Sequence, residues 1–300
     1  MTKLTSLSTA AVLTLTLLNP ASASDSRWGP VAQALGKSGN EMPGGIYRVG
    51  LPRSDLKVTL DGVELKPGFA LGSWVAFEPM GNEAMVMGDL VLTETEIAPV
   101  MKKLIDSGIE ITALHNHLLR ANPATFYMHV SGHGQAATLA HSLHDALALS
   151  KTPLMDAPAP AGQPQIDLDT AMIDCGLDAH GQATGGVYQL SIPRAETIKD
   201  NGMTVPPAMG SAIAINYQPT GNGKAAITGD FVLTVREITP VMHALKDNGI
   251  EVTALHSHMI NEQPRLFFMH FWANDDAANL TKGLRAALDK VHRQEQVAKK

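Results

Sequence analysis

The chain has a single cysteine, Cys175, among 300 residues, so no intrachain disulfide can form. Stability has to come from packing, helped by metal if one binds. Charge is scarce too: charged residues make up 17% and the net charge is −6. A nucleic-acid partner needs a basic footprint, and that footprint is missing. Beyond the N-terminus no run reaches the roughly 18–20 apolar residues of a membrane span, so the mature chain is expected to have no transmembrane segment. The helical HExxH signature is absent, which removes that protease class. No nucleotide cofactor is expected. What remains is 44% hydrophobic residues in a length that suits two ordinary domains with substantial cores.

The N-terminus reads as a processing signal. Lys3 precedes an apolar run from Ala10 to Leu18, and Ala21-Ser22-Ala23 is a small-x-small cleavage pattern. Cleavage after about Ala23 is expected, which makes the protein periplasmic or secreted. No cysteine follows the apolar run, so lipid attachment is not indicated.

The dominant feature is an internal repeat. Gly44-Gly-Ile-Tyr-Arg-Val-Gly-Leu-Pro-Arg53 matches Gly185-Gly-Val-Tyr-Gln-Leu-Ser-Ile-Pro-Arg194. Gly88-Asp89-Leu-Val-Leu-Thr93 matches Gly229-Asp230-Phe-Val-Leu-Thr234, and the segment from Gly108 to His129 matches that from Gly249 to His270 at 12 of 22 positions. All three matches share an offset of 141 residues. A period this long, present twice, indicates a duplicated domain rather than a solenoid. The units are expected over residues 28–149 and 166–291, with Pro153, Pro158, Pro160 and Pro164 stiffening a linker over 150–165.

Each unit reads as a short helix, a series of strands, a helix, a strand hairpin and a last helix. Thr93-Glu-Thr-Glu96 and Thr234-Val-Arg-Glu237 have capping-box spacing. Asp61-Gly62 between β-formers suits a type I′ hairpin turn, and Lys199-Asp-Asn-Gly-Met is a looser counterpart. The fold class expected is α+β: two homologous units in tandem, each an antiparallel sheet with helices packed on one face.

Both units carry His-x-His, eleven residues, then His: His115, His117 and His129, and His256, His258 and His270. Side chains alternate faces along a strand. Pairing residue 256 with 270 puts His256, His258, Phe268, His270 and Trp272 on one face. His115, His117, Tyr127, His129 and His133 follow in the first unit. Leu114, Leu118, Leu255 and Met259 are expected on the opposite, helix-covered face. Three imidazoles on adjacent strands can hold Zn²⁺ or Cu²⁺ with an open position, where a bound water becomes a nucleophile. Asp89 and Asp230, each closing a strand ahead of a helix cap, could orient a histidine or serve the turn. Glu110 and Glu251 open the His strands and are weaker candidates of the same kind. Arg53 and Arg194 could hold a ligand carboxylate or the chain's own acids.

These motifs resemble the duplicated bacterial family of the mycobacterial lipoproteins LppY and LpqO, over about residues 28 to 290. The resemblance implies an exported two-unit α+β protein. That family is a domain of unknown function, so the resemblance transfers no catalytic residue. The missing lipobox cysteine departs from the lipoprotein members. Besides a purely structural role, in which the histidines cement the two halves, two classes of function stay open. One is a transition-metal protein, with zinc or copper in each His triplet, working as a hydrolase or lyase. The other is a non-catalytic periplasmic ligand-binding or envelope-interaction protein, in which the His face with Tyr127, Phe268 and Trp272 cradles a small molecule.

Overall fold

A computed structural model describes residues 27–155 and 166–294. The expected signal segment and the linker prolines Pro158, Pro160 and Pro164 lie outside the described residues. The first unit contains α1 (Gly29–Leu35), β1 (Asn40–Met42), β2 (Ile46–Pro52), β3 (Gly72–Met80), β4 (Glu83–Thr93), α2 (Glu94–Asp106), β5 (Glu110–His115), β6 (Thr125–Gly134) and α3 (Ala136–Leu147). The second contains α4 (Thr170–Leu177), β7 (Gln182–Thr184), β8 (Val187–Ile192), β9 (Ile213–Gly221), β10 (Lys224–Thr234), α5 (Ile238–Asp247), β11 (Glu251–His256), β12 (Leu266–Asp276) and α6 (Ala277–Leu288). Each unit forms a six-stranded antiparallel sheet, and the orders are the same: β1-β2-β3-β4-β6-β5 and β7-β8-β9-β10-β12-β11.

Alternation along the strands sorts the core. In the first unit Val49, Val75, Phe77, Val86, Leu90 and Met128 share one buried cluster with Val31, Leu35, Val100, Leu104, Leu139 and Leu143 of the helices. The intervening residues look the other way. Val91 and Tyr127 are clustered with Val187, Ala226 and Trp272 of the second unit. The two sheets therefore meet through the faces that carry Asp89, His129, Asp230 and His270.

Turn chemistry follows the residues. Asp61 and Gly62 have φ of 48° and 84°, and Asn201 and Gly202 have 49° and 82°. Both hairpins thus use the primed turn that positive φ at two positions allows; the second is no looser than the first. Thr93 and Glu96 form the reciprocal capping box of α2. In the second unit the helix starts at Ile238, three residues later in its repeat, which brings Pro240 into the first turn where its missing N–H costs nothing. Pro99 stays inside α2.

The His hairpins differ from expectation in register. His256 pairs with Phe268, and Ala254 pairs with His270 after a bulge beyond Val252. His115 and Tyr127 pair alike. The slip is two residues in both units; the connecting loops pair elsewhere, Glu262–Gln263 with Lys199–Asp200 and Asn122 with Thr59. A slip of two preserves the face, since side chains alternate with period two. The opposite-face assignments fare worse. Leu114 and Leu255 are 41% and 43% exposed, because β5 and β11 are sheet edges. Leu118 and Met259 lie beyond the strand ends and turn into the contact between units.

Arg53 and Arg194 hold the chain's own acids and the frame rather than the His site. Arg53 is fully buried. It donates to Glu96, to Asp55 and to the Val91 carbonyl. Glu96 in turn accepts from the backbone of Thr93 and Lys151. One guanidinium so ties the end of β2 to β4, to the start of α2 and to the chain after α3. Arg194 repeats the arrangement with Glu196, Glu237 and the Val232 carbonyl. Arg53→Ala leaves Glu96 buried without its cation and is expected to cost about 3–5 kcal/mol of unfolding free energy in urea titration. Arg194→Ala should cost a similar amount, because the two networks match.

A candidate metal centre between the two units

The site begins with β4 and β10. Gly88 and Gly229 have no side chain because a Cβ at Gly229 would sit 2.0 Å from the Ala214 carbonyl oxygen and one at Gly88 would sit 2.8 Å from that of Trp74. The next residues, Asp89 and Asp230, pair in register with His129 and His270. They stand mid-strand, facing the other sheet, and do not serve the turn ahead of the helix cap. His115 and His256 are the last residues of the edge strands. His117 and His258 follow in the connecting loops, so the strand pleat does not aim them. In the first loop Asn116 accepts from the Leu118 N–H, an Asx turn that sets the direction of His117.

All six imidazoles stack between the sheets. Ring centroids of His115 and His256 are 3.5 Å apart, those of His117 and His270 3.5 Å, and those of His129 and His258 3.7 Å. Each pair crosses between units. Tyr127 lies against His117 at 3.4 Å and Phe268 against His258 at 3.5 Å. His115, His117, His256, His258 and His270 each offer a nitrogen within 4.8 Å of the others, and Asp89, His117 and His129 form a second such group. Sequence reasoning grouped the histidines by unit. The structure groups them across the interface, because rings from facing sheets interleave.

Hydrogen bonding leaves the centre unsatisfied. The Gly229 carbonyl can only accept, so His270 donates from Nδ1, at 2.8 Å. That leaves the His270 Nε2 lone pair free, the arrangement by which an outer partner fixes a metal-ligating tautomer. His115 and His117 share one contact, Nε2 to Nε2 at 2.8 Å. Asp89 Oδ1, His115 Nδ1, His129 Nε2, Asp230 Oδ1, His256 Nε2, His258 Nε2 and His270 Nε2 are buried without a hydrogen-bond partner. Asp89 and His129 stand 3.8 Å apart, and Asp230 lies 3.6 Å from His270 and 3.8 Å from His258. An unsatisfied buried polar atom costs about 1–3 kcal/mol. Five of the histidines in one group, and Asp89 with His117 and His129 in another, lie close enough to share a cation.

The other residues singled out from sequence fall elsewhere. Glu251 pairs with Arg120 at 2.6 Å, and Arg120 also holds Asp61 at 3.0 Å; all three are exposed. Glu110 is exposed at the start of β5. His133 is half-exposed beside Glu83. Trp272 donates from its indole to Asp61 across the interface and packs edge-on to Phe69. Arg48 is the residue sequence reasoning passed over. Its guanidinium stacks on Trp74 at 3.8 Å, and its charge acts on Asp89. The matching residue is Gln189, so the repeat alone could not flag it.

Burial sets the ionisation. It depresses the His115 pKa to about 3, helped by the neighbouring His256, and that of His256 to about 4. His117, His129, His258 and His270 are lowered well below 6.5 by burial and then by one another. Burial raises Asp89 to about 7 against the pull of Arg48, and raises Asp230 well above its usual range with Asp89 adding to it. Near pH 7 the imidazoles are therefore neutral, the state a metal needs.

The pH dependence follows. Unfolded histidines take up protons below about 6.5 and the folded ones do not, so their contribution is present above that pH and is lost as pH falls. The two aspartates act oppositely, since unfolded carboxylates ionise above about 4 while the folded pair stays protonated. Six groups outweigh two. The melting temperature of the metal-free protein is expected to fall between pH 7 and pH 5, and less steeply in a His115→Gln/His256→Gln variant. A flat profile would contradict the burial described.

No curated protein matches the chain. Among solved structures, the trimeric bacterial microcompartment shell protein PduB aligns at 12% identity over 84% of this chain and 93% of its own, with a TM-score of 0.21. EtuB from Clostridium kluyveri aligns at 8% identity over 84% and 88%, with a TM-score of 0.20. Scores this low carry no argument about fold or activity. The family described as Domain of Unknown Function (DUF1259) matches twice, over residues 29–149 and 171–290. With both repeats matched, the chain belongs to the DUF1259 family and contains its domain in duplicate.

Proposed function

We propose that this protein binds a transition metal ion, zinc or copper, in one buried centre built jointly by the two repeats. The observation that carries the reading is the grouping of five histidines whose nitrogens lie within 4.8 Å of one another, where seven buried side-chain atoms have no hydrogen-bond partner. His115, His117, His129, His256, His258 and His270 are the proposed ligands, with Asp89 and Asp230 as direct or orienting partners. An imidazole-rich set with two carboxylates suits Zn²⁺ or Cu²⁺ better than the hard cations. The proposal takes each sheet to bear its helices on the outer face, so that the two histidine faces close on one another.

The proposal also takes the chain as exported and cut after about Ala23, with units over 28–149 and 166–291 joined by the linker over 150–165, and keeps the likeness to the LppY and LpqO proteins. None of the described helices is long and apolar enough to cross a membrane. Chemistry at such a centre is limited by access. The cavity beside His129 and His258 has a volume of about 20 Å³, room for one water-sized ligand. A hydrolase or lyase acting on a larger substrate would need the units to part. A ligand-cradling surface is disfavoured for a related reason: Tyr127, Phe268 and Trp272 are all at most 4% exposed.

Elemental analysis of protein purified without chelator tests the proposal. At least one zinc or copper per chain is expected, retained on dialysis and lost in His256→Ala and His270→Ala. Metal at about 100 times its Kd should add about 2.7 kcal/mol of stability, seen as a higher melting temperature than in chelator-treated protein. Less than about a tenth of an ion per chain after Zn²⁺ or Cu²⁺ is supplied would overturn the reading, since folded ligand sets of this kind bind metal tightly.

A further inference from the structure

The duplication makes the histidines twofold, but it does not make their surroundings twofold. On one side His129 and His258 line a cavity together with Met87, Met209, Met259 and Trp74. The matching positions on the other side are Thr228, Phe69, Leu118 and Ala214, read from the shared offset and from strand registers. Both sides are buried: Phe69 and Leu118 pack in a cluster with Val91, Tyr127 and Trp272, and the three methionines pack in the core cluster of the second unit. All three thioethers are thus confined to one mouth of the centre. Copying by duplication does not account for them, since it would have placed them at both.

We propose that this mouth is a binding site for a cuprous ion, through which copper, still cuprous, reaches the histidine centre; the inference rests on that centre holding metal. Thioether sulfur is a soft donor and selects Cu(I) over Zn²⁺ and the harder cations. The cavity is the size of a single ion or water, which excludes an extended ligand. The Nε2 atoms of His129 and His258 are buried and partnerless, so the same lining contributes nitrogen donors as well as methionines. Those two histidines also belong to the stacked set between the sheets, so the cavity adjoins the centre. Arg48 stands behind Trp74 as a fixed positive charge. Coulomb repulsion from it is half as large for a monovalent ion as for a divalent one at the same distance.

The test uses the full mature chain under anaerobic conditions. Cu(I) is titrated against a chromophoric cuprous chelator, and the copper-loaded protein is examined by X-ray absorption at the copper edge. Wild-type protein is expected to take up Cu(I) with sulfur among its nearest neighbours. Met87→Leu, Met209→Leu and Met259→Leu together, which nearly conserve volume, should remove the sulfur signal. The same variant should weaken Cu(I) binding by at least the order of 10- to 100-fold that removing even an outer partner of a metal produces, and leave Zn²⁺ binding unchanged. Cu(I) surrounded only by nitrogen and oxygen in the wild type would overturn the inference and leave the histidine centre standing. Unchanged Cu(I) affinity in a folded triple variant would do the same. Failure of the wild type to bind either Zn²⁺ or copper would overturn the centre itself. If the triple variant does not fold, the wild-type absorption spectrum decides alone.

Discussion

Six imidazoles and two carboxylates face one another between two sheets with too few hydrogen bonds to satisfy them, and the rest of the molecule is arranged around that fact. Desolvation of these groups opposes folding. The opposing gain comes from the aliphatic clusters on the far faces of both sheets and from the contact cluster of Phe69, Leu118, Tyr127 and Trp272 beside the centre. The rings stay neutral because burial makes charge costly, and neutral rings can stack at van der Waals distance where imidazolium ions would repel. A cation placed among them would turn the largest liability of the fold into an attraction.

Precision at such a centre depends on stiff supports. Gly88 and Gly229 let neighbouring strands pass close to the backbone just before each aspartate. The buried arginines Arg53 and Arg194 lock the far ends of β4 and β10 to the helices. Tyr127 and Phe268 back the loop histidines with flat rings. Across the interface, Asp61 accepts from Trp272 and pairs with Arg120, which reaches Glu251. These polar contacts tie the first unit's hairpin to the second unit's edge strand.

Much of this was legible from residues alone. Asp61-Gly62 specifies its turn because both positions need positive φ, and Thr93 with Glu96 specifies a helix start because the two side chains satisfy each other's backbone. The face shared by His256, Phe268 and His270 survives an error of two in pairing, since strand alternation has period two. The failures have physical causes as well. Alternation stops where the strand stops, so His117 and His258, and with them Leu118 and Met259, could not be placed by pleating. Leu114 and Leu255 follow the pattern of a covered face, yet they lie on edge strands that no helix reaches. Arg53 and Arg194 stand in repeated motifs and bind the chain's own acids, which a motif alone does not distinguish from a ligand's.

The sequence by itself determined that the chain is one α+β domain written twice, with the same histidines in each copy, because local propensity and repetition are properties of the linear order. Only the tertiary structure decided that the two sets of histidines form one set. The pairing of His115 with His256 and of His117 with His270 depends on how two sheets dock, which is governed by shape and burial among residues far apart in the chain.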